Sequence, residues 1–64
     1  MDELKDMLTA AKVGFKGYER GMHPPGTVMM VGREWAKANG VSVKQGITKA
    51  CAAYWELFEE RNGK

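Results

Sequence analysis

One cysteine and one histidine are all that this chain offers for cross-linking itself, and it has only 64 residues in which to build a fold. Chains of this length bury roughly 60% of the surface they expose when unfolded, so their cores are marginal without a disulfide, a structural metal or a second subunit. Cys51 has no partner for an intrachain disulfide, and Cys51 with His23 cannot complete a zinc set. No metal or other cofactor is expected, and self-association into a homodimer is the support that remains. An unpaired cysteine suits a reducing compartment. No apolar run approaches the roughly 18 residues of a membrane span, and the opening Met1-Asp2-Glu3-Leu4-Lys5-Asp6 has the wrong charge for a secretory signal. A cytoplasmic location with no membrane partner is the expectation.

With 44% hydrophobic and 28% charged residues the chain reads as one small globular domain over residues 1–64. Its net charge of +2 is unevenly placed. Residues 1–10 carry Lys5 against Asp2, Glu3 and Asp6, for −2. Residues 11–50 carry Lys12, Lys16, Arg20, Arg33, Lys37, Lys44 and Lys49 against Glu19 and Glu34, for +5. Residues 51–64 carry Arg61 and Lys64 against Glu56, Glu59 and Glu60, for −1. A basic middle between acidic ends points to a surface that faces a polyanion.

Apolar spacing sets the elements. Leu4, Met7, Leu8 and Ala11 recur at helical steps, which predicts a short accessory helix within residues 1–12, acidic at its start. Glycines interrupt the stretch from Val13 to His23, so it reads as loop or weak strand. Pro25 can open a helix, because its missing N–H would be unpaired there anyway. That helix is expected over 25–39, with Val28, Met29 or Met30, Val31 and Trp35 on its apolar face, Gly32 as a weak point, and Asn39-Gly40 as its end. Ser42 stands where an N-cap belongs, ahead of a helix over 43–61. Ile47, Ala50, Cys51, Tyr54, Leu57 and Phe58 give that helix a one-sided stripe, widened by Trp55.

Catalysis finds no support in these residues. His23 has no partner carboxylate or nucleophile that the sequence identifies, and Cys51 lies on an apolar stripe where cysteine packs as a small hydrophobe. Neither phosphate-binding glycine pattern is present among the glycines between Gly14 and Gly21. An enzyme acting on a small-molecule substrate is not expected.

The two helices joined by Gly40-Val41-Ser42 admit three readings: a helix-turn-helix, a ribbon-helix-helix, or a plain helical hairpin. A common helix-turn-helix places an apolar residue six after the turn glycine, which here is Gly46, whereas the apolar anchor is Ile47. Pro25 through about Glu59 resembles the Arc and Mnt type of ribbon-helix-helix repressors. The features in common are Pro25 opening a helix, Ala36 four before the glycine, Asn39-Gly40, Ser42, then Ile47 and a long second helix.

This resemblance implies a mainly α fold with a single β-strand over 16–23, completed as an intertwined homodimer whose paired strands enter the major groove of double-stranded DNA. The chain would then be a phage or bacterial transcriptional regulator, most simply a repressor. Counted back from Pro25, the groove-facing ribbon positions would be Glu19, Gly21 and His23. A one-residue shift of register turns Tyr18, Arg20 and Met22 outward and suits Arg20 better. Lys16, Tyr18, Arg20 and His23 are thus the expected base-facing residues, and Ser42, Val43 and Lys44 would clamp phosphate at the start of the last helix. Val28, Val31, Trp35, Ile47, Ala50, Cys51, Tyr54 and Phe58 would form the dimer core. The alternative is a small helical protein-interaction module, such as a phage-encoded inhibitor of a host protein, suggested by five methionines and two tryptophans.

Overall fold

The computed structural model describes residues 3–62 and places them in three helices, α1 (Glu3–Ala10), α2 (Gly26–Asn39) and α3 (Val43–Asn62). Met1 and Asp2 of the expected first helix lie outside the described residues. Helix α3 is the longest element, and α2 packs along it more extensively than α1 does.

Leu4 and Leu8, one turn apart, bury one face of α1. The helix ends where the Lys12 N–H bonds the Thr9 carbonyl at 3.0 Å and the Val13 N–H reaches the Leu8 carbonyl at 3.4 Å. Lys12 holds the left-handed conformation of this cap (φ 58°), a position that usually belongs to glycine. Val13 and Leu8, which such a cap brings together, are both buried.

Helix α2 begins at Gly26 after Pro25, which provides no side-chain cap, and closes on Gly40 at φ 68°, whose N–H returns to the Ala36 carbonyl. The Gln45 N–H donates to Ser42 Oγ at 3.1 Å, so Ser42 caps α3 as its position in the sequence suggests. Gly32, read from the sequence as a weak point, is instead a point of closest approach. A β-carbon on it would come within 2.8 Å of the Gly46 carbonyl oxygen, and one on Gly46 within 2.3 Å of the Gly32 carbonyl oxygen. The two helices therefore touch backbone to backbone. Met29 is half-buried while Met30 is 65% exposed, which settles which methionine belongs to the inner face.

No strand is present among the described residues, so the ribbon expected over 16–23 is not formed in this chain. Two turns replace it, closed by the Tyr18 N–H on the Phe15 carbonyl and the Met22 N–H on the Glu19 carbonyl. Gly17 at φ 87° and Gly21 at φ 98° take conformations that an extended strand does not contain. Aromatic packing draws the segment inward. Phe15 stacks parallel on Tyr54 with ring centroids 5.0 Å apart, and Tyr18 meets the same ring edge-on at 6.4 Å. Tyr54 is fully buried, and its hydroxyl donates to the Gly14 carbonyl at 2.6 Å.

The residues expected at a dimer seam lie largely within this single core. Val28, Val31, Ala50 and Tyr54 are buried, while Trp35, Ile47, Cys51 and Phe58 are half-buried. No helix of the described residues is long and apolar enough to cross a membrane.

Candidate nucleic-acid interface

Ser42, Val43 and Lys44 come together, all exposed, at the start of α3. First-turn N–H groups have no partner within their own helix, and the helix dipole adds partial positive charge there. Lys44 therefore sits at the end where a cation is disfavoured, and the first turn of α3 contains no acidic residue to offset it. Such an arrangement is relieved by an external anion.

The inner face of α3 then fixes its outer face. Gly46, Ala50, Ala53 and Tyr54 are buried, which turns Lys44, Gln45, Thr48, Lys49 and Ala52 outward, all exposed. At 3.6 residues per turn these five fall within about 140° of the helix circumference. No acidic side chain lies on α3 before Glu56. On α2, Arg33 and Lys37 are exposed one turn apart, with Glu34 as the acid between them.

Ion pairs gather at the other end of the molecule. Lys5 Nζ lies 3.0 Å from Glu56 and 2.8 Å from Glu60, and Arg20 pairs with Glu59. Hydrogen bonding to Glu60, then to Glu56, holds the Lys5 ammonium well above the usual lysine range. Among the described residues, Arg33, Lys37, Lys44 and Lys49 have no ion-pair partner. Lys5 and Arg20 are thus engaged by carboxylates of α3, whereas Arg33, Lys37, Lys44 and Lys49 are available.

The residues expected to read bases from a ribbon are dispersed instead. Lys16 is exposed in a turn, Tyr18 is half-buried against Tyr54, Arg20 is held by Glu59, and the Nδ1 of exposed His23 lies 3.2 Å from the Pro24 carbonyl oxygen. Gln45, Thr48, Lys49 and Ala52 were not singled out from the sequence. Their signal was there, since fixing the apolar stripe of this helix also fixes what stands opposite it.

Gly46 changes how the hairpin is read. The side on which a β-carbon would stand faces Gly32 and the Ala36 side chain, with 2.6 Å between a β-carbon placed there and Ala36 Cβ. The position six after the turn glycine is thus an interhelix contact, made by close backbone approach instead of by an apolar side chain. No protein-family model, curated protein or solved structure matches this chain.

Proposed function

We propose that this chain is a small DNA-binding protein, acting as a cytoplasmic transcriptional regulator, that presents α3 to the major groove as the second helix of a helix-turn-helix. In that geometry the N-terminal part of the second helix meets base edges while the first helix crosses the backbone. The outward arc of α3 supplies fitting groups. Lysine recognises guanine, glutamine pairs with adenine, and the threonine and alanine methyls contact the thymine methyl. Ser42 and Lys44 would hold phosphate at the start of α3, with Arg33 and Lys37 on the flanking backbone.

One observation carries this reading: among the described residues, Lys44 and Lys49 stand unpaired on one exposed arc of α3 that contains no acidic side chain, and Arg33 and Lys37 are likewise unpaired on α2. Fluorescence anisotropy on a labelled duplex tests it. Each phosphate neutralised contributes about −0.9 to the slope of log K against log salt, so Arg33, Lys37 and Lys44 on phosphate give a slope of about −2.7. Replacing Lys37 and Lys44 with glutamine should flatten that slope by about 1.8. Binding that ignores salt, or a slope unchanged in the double variant, contradicts the proposal.

A protein-interaction module is the second reading, favoured by Met30 and Val43, which are 65% and 50% exposed. It predicts no salt-dependent affinity for duplex DNA.

A further inference from the structure

A second feature lies at the far end of α3, where the last turn of α1 and the loop after it meet the helix. They enclose a cleft of about 310 Å³, near the lower limit for small-ligand sites. Its wall is apolar, formed by Leu8, Val13, Phe15 and Leu57, and its polar lining is Thr9, Lys12 and Arg61. Among the described residues no carboxylate lines it. Among the described residues neither Lys12 nor Arg61 has an ion-pair partner, although acidic side chains elsewhere on α3 are paired. Arg61 is steadied over the Phe15 ring, 4.7 Å from its centroid.

Lys12 adds an independent observation. It occupies the left-handed cap of α1, where glycine would fit without strain and a side chain is costly. The lysine side chain adds no packing to the core, since Lys12 is exposed and glycine could form the same cap, but it places a cation on the rim of the cleft.

We propose that this cleft binds a small amphipathic carboxylate, with its apolar body against Leu8, Val13 and Leu57 and its charge met by Lys12 and Arg61. The guanidinium fork of Arg61 suits a carboxylate, and the apolar wall selects against a simple inorganic anion. Lys44 and Arg61 stand at opposite ends of α3, about 25 Å apart along a helix that rises about 1.5 Å per residue. An occupied cleft therefore leaves the proposed DNA face open, and the two proposals stand or fall separately.

Isothermal titration of the full chain with octanoate, and with octan-1-ol as its neutral counterpart, tests this. Octanoate should saturate one site per chain and bind more tightly than octan-1-ol. Lys12→Gly and Arg61→Gln should each weaken octanoate roughly five-fold, the upper scale of one exposed ion pair, and leave octan-1-ol unchanged. Lys12→Gly also relieves the strained cap, so weaker binding in that variant cannot be ascribed to a destabilised fold. Octanoate that fails to saturate, octan-1-ol that binds equally well, or variants that bind octanoate unchanged would each overturn the proposal.

Discussion

Tyr54 joins the irregular third of the chain to its helices. Its ring is the largest fully buried side chain, and its hydroxyl reaches the Gly14 carbonyl in a loop that has no regular structure of its own. A net hydrogen bond of this kind contributes about 1 kcal/mol, so Tyr54→Phe should lower the unfolding free energy by about that much in urea titrations. The same side chain gives an alkaline limit. Burial, then the nearby Tyr18, raises the Tyr54 phenol above its ordinary 10.0, and burial raises the Cys51 thiol above 9.0. Both groups are held protonated in the folded state, so their contribution is complete below the unfolded values and is lost as pH rises through the raised ones. Urea midpoints should therefore begin to decline above about pH 9, with the later part of the decline smaller in Tyr54→Phe, where the ion-paired Lys5 still contributes. Lys12 was unremarkable in the sequence, because a left-handed cap is recognised by its glycine. Lys12→Gly should raise stability by about 0.5 to 1 kcal/mol.

At the scale of elements, the crossing of α2 and α3 depends on two glycines. A methyl group on Gly46 would collide with the Gly32 backbone and the Ala36 side chain, and backbone cannot swing aside as a flexible side chain can. Gly46→Ala should destabilise the fold by about 2 kcal/mol or more, while Gly26→Ala, with nothing within 4 Å of its added carbon, should be neutral or gain up to about 0.5 kcal/mol. Thermal melts of the pair separate close packing from intrinsic helix preference. The helices themselves were legible: the stripe from Ile47 to Phe58, the glycine end of α2 and the Ser42 cap all express short-range spacing. The segment from Lys16 to His23 was not, because its conformation is set by Phe15 and Tyr18 packing on a residue more than 30 positions away. Gly46 was misread for a similar reason. A missing apolar anchor and a backbone contact look alike until the facing helix is in place.

The whole molecule has a radius of gyration of 11.0 Å, against about 10.7 Å expected for a folded domain of its length. Tyr54, Leu8 and Val28 form a buried core within one chain, and protein concentration separates a fold complete in that chain from the homodimer expected from its length and lack of cross-links. Its melting temperature should then stay constant over a hundred-fold range of protein concentration, whereas a fold completed by dimerisation would melt higher as concentration rises. Charge is distributed on the same scale. Within the +5 segment, Arg33, Lys37, Lys44 and Lys49 lie unpaired among the described residues of α2 and α3, while Arg20 and the N-terminal Lys5 pair with Glu56, Glu59 and Glu60. The position of the DNA face is the central claim, and amide chemical-shift mapping of the isotope-labelled chain with a short duplex tests it most directly. The expected footprint lies on residues 42–52 with weaker effects at Arg33 and Lys37; perturbations centred on residues 16–23, or none at all, would contradict it.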